Sequence, residues 1–219
     1  MLDEPAAYVG GYSVEQRLLS LCPCDTPAGG KRVIQDIDFA VLDWIQQHMR
    51  CGWMDWLMPK VTLLGKGAAL WVCITLALLA IRRHRRVGMR MALGLVLAAV
   101  IGLLLMKNLV ARPRPCWLSP DVGLLVKVPW DYSFPSGHTL MGFVCATVIA
   151  LHHRRAGICA FVVAAIIAFT RLYLYVHFPT DVLAGAVLGV VLGIAACKLA
   201  DRWGPVDGTH EPHGGTAVA

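Results

Sequence analysis

Five stretches of this 219-residue chain are apolar over a length that can cross a bilayer, and that feature restricts the fold more than any other. A spanning helix needs about 20 mostly apolar residues, within a range of about 17 to 25. With interfacial residues counted at their ends, the runs are Val61 to Ile81, Val87 to Met106, His138 to Leu151, Ala156 to Val176 and Asp181 to Ala200. The third is short, so its polar start is expected inside the membrane boundary. The composition agrees: 57% of residues are hydrophobic, 16% are charged, and the mean hydropathy is +0.61. Soluble domains carry about a quarter charged residues.

The expected fold is an all-α, polytopic transmembrane helix bundle. It has five spans, or six if an atypical segment before residue 60 also crosses. A membrane-embedded domain over 33–202 is flanked by tails at 1–32 and 203–219, rich in Gly, Pro and polar residues. Ahead of the first span, Ile34, Ile37, Val41, Trp44, Ile45 and His48 follow a 3–4 spacing, with Asp36, Asp43 and Gln47 opposite. Together with Trp53 and Trp56, this predicts an N-terminal amphipathic helix lying at the interface.

The net charge of +6 does not point to nucleic acid, because the basic residues sit in short clusters between apolar runs. "RRHRR" at 82–86 and "HHRR" at 152–155 lie two spans apart and therefore on one side, which the positive-inside rule makes cytoplasmic. The segments 107–137 and 177–181 are then outside. Acidic residues and no apolar core at the N-terminus predict no cleaved signal. Cys73, Cys145, Cys159 and Cys197 read as small hydrophobes, and Cys22, Cys24, Cys51 and Cys116 as ordinary thiols.

Three polar clusters converge on the outer side. The first is "KNLVARPRP", with Lys107, Arg112 and Arg114; the second is "SFPSGHT", Ser133 to Thr139. The third is "TRLYLYVHFPTDVLAG", which holds Arg171, His177 and Asp181. Snorkelling accounts for long cationic side chains at span ends, but not for His138 and His177. Pro179 suits the first position of a helix and Asp181 its first turn. His177, just before, is then placed to donate from Nδ1 to Asp181 and keep Nε2 free as a nucleophile or base. A helix beginning at Ser136 and Gly137 offers unpaired N–H groups to an anion, and His138 can protonate a leaving oxygen. With Lys107, Arg114 and Arg171 the set suits phosphoryl transfer; no carboxylate cluster calls for a metal, and no cofactor is expected. Arg112 reads equally as an interfacial cation or as a contact to a substrate head group.

These residues resemble the type 2 phosphatidic acid phosphatase superfamily of membrane lipid phosphatases. The family's motifs are Lys-x6-Arg-Pro, Pro-Ser-Gly-His and Ser-Arg-x5-His-x3-Asp. Here they read Lys107 to Pro115, Pro135 to His138 and Thr170 to Asp181, with Thr170 in place of serine. The resemblance implies metal-independent hydrolysis of a lipid phosphate or diphosphate through a phosphohistidine. His177 is then the nucleophile, Asp181 its orienting partner and His138 the acid, while Lys107, Arg114, Ser136, Gly137 and Arg171 bind phosphate. It further implies undecaprenyl diphosphate as substrate, or alternatively phosphatidate or phosphatidylglycerol phosphate, with the site on the extracytoplasmic face of the cell membrane. Trp130, Tyr132, Tyr173 and Tyr175 are candidates for the lipid entrance or for interfacial anchors. More distant readings are a vanadium-dependent haloperoxidase and a non-enzymatic membrane scaffold or transporter. The oligomeric state is not legible from these residues.

Overall fold

A computed structural model describes residues 29–202; the two tails, with Cys22 and Cys24, lie outside the described residues. Within them the secondary structure is entirely helical: α1 (Gly29–His48), α2 (Gly52–Gly65), α3 (Ala69–Ala80), α4 (Arg85–Leu97), α5 (Lys107–Val110), α6 (Pro115–Leu118), α7 (Gly137–His152), α8 (Arg154–Tyr173) and α9 (Pro179–Arg202). Among the described residues, four stretches are long and apolar enough to cross a membrane: Gly52–Ala80, Arg82–Leu118, Arg154–Tyr173 and Pro179–Arg202. The first begins nearer the N-terminus than its apolar run suggests, so Trp53 and Trp56 belong to it. It is broken at Lys66–Ala68, where Gly67 and Ala68 take left-handed conformations (φ 58° and 57°). In the second, a π-helical segment, Ala98–Met106, joins α4 to α5 just ahead of Lys107.

α7 is the shorter apolar helix, at 16 residues, or about 24 Å of rise against a hydrocarbon core of about 30 Å. It is the centre of the bundle. Leu140, Val144, Cys145, Ala146 and Val148 are fully buried on it, packed with Trp71, Met91, Ala164 and Leu192 from four other elements. Its contact with α9 is close because Gly185, Gly189 and Gly193 face it at four-residue spacing. A Cβ at Gly189 would stand 2.8 Å from the Leu140 carbonyl, and one at Gly193 2.9 Å from that of Val144. Small residues repeated every fourth position let two helices approach in lipid, where dispersion and not water exclusion drives association. That approach brings the starts of α7 and α9 together, with Ser136 N–H donating to the Asp181 carbonyl (3.1 Å).

The outer surface is apolar, with Leu183 64% and Val187 65% exposed. Helix α1 turns both polar and apolar residues inward, with Ile45 buried in the core. Asp38 and Leu42 are buried, Gln46 donates to the Tyr173 carbonyl (2.8 Å), and Asp43 accepts from the Tyr175 hydroxyl (2.8 Å). Ile34, Ile37, Val41 and Trp44 face outward instead. The polar partners come from the end of α8 and the connection to α9, and they add to the apolar contact that Leu42 and Ile45 make with the bundle.

Candidate active site

The end of α2 and the break after it, the starts of α5 and α7, the end of α8 and the loops ahead of α7 and α9 surround a cavity of about 840 Å³. Lys107, Arg114, Gly137, His138, Arg171 and His177 line it together, although they are spread over 70 residues of chain. Each position has a local cause. Pro179 opens α9 as its missing N–H favours, which leaves His177 on the short connection after α8. Helix α8 ends at Tyr173, and Tyr175 adopts a left-handed conformation (φ 56°), so the chain turns back and His177 faces the end of α8. Arg171, on the last turn of α8, lines the same cavity. Its Nη1 donates to Thr62 Oγ1 (2.5 Å), while its buried Nε has no partner among the described residues.

His177 is 1% exposed. Arg114 Nη1 donates to its Nε2 (3.0 Å) and to the Val176 carbonyl (2.7 Å). Because a guanidinium only donates, Nε2 carries the lone pair and Nδ1 the proton. Nδ1 lies 3.7 Å from Asp181 Oδ2, an ion-pair separation too long for the direct hydrogen bond expected from the sequence. Ser133 fills the gap: its Oγ is 3.3 Å from Nδ1 and donates to Asp181 Oδ2. Burial above all, then the cations Arg114, Arg171 and Lys107, hold the His177 imidazole well below its ordinary pKa and therefore neutral.

Asp181 is completely buried and saturated with donors. Oδ2 also accepts from Phe178 N–H (2.9 Å), and Oδ1 accepts from Arg112 Nη1 (2.7 Å). Arg112 is neither an interfacial cation nor aimed at a head group. It spans Asp181 and Asp38 (2.7 Å each) and lies over the Phe178 ring, 4.1 Å from its centroid. Asp38 also accepts from Thr180 N–H (3.0 Å), so an acid on α1 caps the first turn of α9.

On the opposite wall Asp131 bridges the motif cations, pairing with Lys107 through Oδ2 and with Arg114 Nη2 through Oδ1 (2.7 Å). Burial raises this carboxyl, but Arg114 and Lys107 outweigh it and bring its pKa down to about 2. His138, on the first turn of α7, faces the cavity beside Gly65. Ser136 stands off the wall, fully buried, its hydroxyl accepting from Thr139 (3.0 Å). The Thr170 hydroxyl donates to the Ile167 carbonyl (2.6 Å), which explains why a threonine serves here: its oxygen supports the helix and does not enter the cavity. Tyr173 and Tyr175 are buried and bonded to Asp55 and Asp43, so neither is an entrance residue or an interfacial anchor; Trp130, 92% exposed, lines the cavity mouth. Among the described residues, no three His, Cys, Asp or Glu side chains gather as a metal site would require.

Sequence reading did not assign Ser133, Asp131 or Asp38 to the site. Ser133 adjoins the Pro-Ser-Gly-His motif and its serine was the available signal; nothing in the local sequence marks Asp38 as the partner of a residue 74 positions away.

A family model described as the PAP2 superfamily matches residues 87–205. The chain is 31% identical over 138 residues to an undecaprenyl-diphosphatase of Sulfolobus acidocaldarius, covering 63% of this chain and 66% of that one. It is 30% identical over 155 residues to phosphatidylglycerophosphatase B of Bacillus subtilis, covering 66% and 74%. The chain spans about two thirds of the length of the first of these curated relatives. Among solved structures, a transmembrane PAP2-type phosphatidylglycerolphosphate phosphatase from Bacillus subtilis superimposes with a TM-score of 0.64 at 27% identity, over 80% of this chain and 90% of that one. LpxE of Aquifex aeolicus gives 0.63 at 29% identity, over 76% and 95%.

Proposed function

Since the chain belongs to the PAP2 superfamily, we propose that it is an integral membrane lipid phosphatase working through a phosphohistidine at His177, with undecaprenyl diphosphate as its substrate. The observation that carries this reading is the pairing of His177 Nε2 with Arg114 (3.0 Å) on a cavity wall that also holds Arg171, Lys107 and His138. A neutral imidazole with its lone pair turned toward cations is suited to meet a phosphorus atom whose oxygens those cations hold.

In the reaction, Nε2 attacks the terminal phosphorus while the bond from phosphorus to the leaving oxygen breaks. That oxygen takes a proton from His138 and departs with the lipid. Water then attacks the phosphohistidine, the P–N bond breaks, and His138 takes the water's proton, so inorganic phosphate leaves and both histidines are restored. Lys107, Arg114 and Arg171 stabilise the equatorial oxygens, aided by the N–H groups at the start of α7. Ser136 shapes that turn, and Asp181 orients His177.

The apolar exterior supports a lipid substrate reached from within the bilayer and weighs against a soluble haloperoxidase. We read α7 as a fifth, short crossing and α1 as an interfacial helix with its apolar side in lipid. The basic turns support an extracytoplasmic site in the cytoplasmic membrane: His84 and His153 meet edge to face with centroids 5.5 Å apart, and α4 and α8 run from there toward the cavity. In that location the product, undecaprenyl phosphate, returns to cell-wall synthesis as carrier lipid. Phosphatidylglycerol phosphate is the second reading, favoured by the likeness to the Bacillus subtilis structure.

The test is phosphate release by the detergent-purified protein in EDTA from undecaprenyl diphosphate, phosphatidate and phosphatidylglycerol phosphate. Activity should survive chelation, be greatest on the first lipid and vanish in His177→Ala. Chelation-sensitive activity, or activity indifferent to that substitution, defeats the mechanism. For orientation, Cys116 is buried and a poor reporter, so a cysteine at exposed Trp130 should be labelled from outside intact cells.

A further inference from the structure

We propose that Lys66 and Lys127 form a second anion subsite in this cavity, holding the phosphate that stays with the lipid and so favouring diphosphates over monophosphates. The inference rests on the phosphatase reading above and assigns part of its specificity to two residues outside the three motifs.

Both lysines line the cavity that contains His138 and His177. Of the other cations there, Lys107 and Arg114 are paired with Asp131, and Arg171 bonds Thr62 through Nη1 while its Nε stays open to the first phosphate. Among the described residues, neither Lys66 nor Lys127 has an ion pair or hydrogen bond. Two unpaired ammonium groups remain beside a site whose motif cations already suffice for one phosphate.

Their placement has a direction. Gly65 lies against His138, so closely that a Cβ would come within 2.4 Å of His138 Cδ2. Lys66 is the next residue, exposed, and lines the same cavity as that histidine. It sits where the first spanning stretch breaks. Ala68 holds a left-handed conformation there (φ 57°), which a straight apolar helix would avoid. Lys127 approaches from the loop ahead of α7, four residues before Asp131, which is bound to the motif cations. The cavity wall between them is apolar, with Leu63, Val126 and Val128 available to the first carbons of a lipid tail.

In a lipid diphosphate the bond that breaks joins the terminal phosphorus to the bridging oxygen. That oxygen takes the His138 proton and stays on the inner phosphate. The charge of that phosphate, of order −1.5 to −2 once it is a monoester, then lies toward Lys66 and Lys127. A lipid monophosphate places nothing anionic at that position and gains nothing from the two lysines.

The experiment measures kcat/KM of the full chain in detergent on farnesyl diphosphate and farnesyl phosphate, which share a tail. It compares the wild type with Lys66→Gln, Lys127→Gln, the double variant and Lys66→Arg, with unfolding midpoints to establish folding. We expect the wild type to prefer the diphosphate. Each glutamine variant should lower the diphosphate-to-monophosphate ratio about tenfold, as loss of a charge-assisted hydrogen bond does, and Lys66→Arg should retain most of it. A ratio that does not change, a wild type that prefers the monophosphate, or a parallel fall on both substrates overturns the subsite and leaves the phosphatase reading intact. A folded wild type that releases phosphate from neither substrate overturns the phosphatase reading itself.

Discussion

Ser133 Oγ lies 3.3 Å from His177 Nδ1 and hydrogen-bonds Asp181 Oδ2, so a hydroxyl stands between the histidine and the carboxylate that orients it. The His177 proton passes its influence to Asp181 through a relay whose middle member is fully buried. Ser133→Ala should lower kcat roughly 10- to 100-fold with little change in KM, the effect of losing one hydrogen bond to a charged network. Ser133→Thr should recover part of the loss. Equal kcat in the alanine variant would show that the 3.7 Å approach of His177 to Asp181 suffices.

Arg112 holds two buried carboxylates, Asp38 and Asp181, which are 1% and 0% exposed. Arg112→Ala leaves both uncompensated and should cost about 3–5 kcal/mol of stability, as breaking a buried pair does. A lysine cannot fork between two acids and should restore little. The unfolding midpoint in detergent reads this directly, and a shift below 2 °C would contradict it.

Asp131 occupies the cations that bind phosphate in the proposed mechanism. Being ionised down to a pKa of about 2, it competes with the substrate at every working pH. Asp131→Asn should tighten competitive inhibition by inorganic phosphate roughly 3- to 10-fold, a modest effect because this pair is partly solvated. Weaker inhibition in the variant would mean that Asp131 instead holds Lys107 and Arg114 in their binding geometry.

The pH profile follows from His177. Its pKa in the folded protein lies below the ordinary value of 6.5. On acidification through that value the unfolded chain binds a proton that the folded one refuses, so this group weakens stability as pH falls and has no effect above it. For the same reason the acid limb of kcat/KM, which reports the free enzyme, should lie below pH 6.5. A limb at or above pH 6.5 assigned to His177 by its loss in a variant would be inconsistent with the buried, cation-faced imidazole.

Much of the site is visible in the chain's own order. Apolar run lengths are set by bilayer thickness, and Pro179 and Asp181 obey rules local to one helix turn, so the class of protein and the start of α9 follow from neighbours in sequence. The three motifs name Lys107, Arg114, His138, Arg171 and His177, and the cavity unites them. Packing settled the remainder. Whether Arg112 faces lipid, substrate or protein depends on where α1 docks, and α1 docks by Leu42 and Ile45 together with Asp38, Asp43 and Gln46. The serine between His177 and Asp181 depends on the loop ahead of α7 meeting the start of α9, where Ser136 N–H donates to the Asp181 carbonyl. Periodicity and spacing act over a few residues along one helix. Ion pairs formed across 69 and 74 residues depend on how helices lie against one another, and no segment carries that information alone.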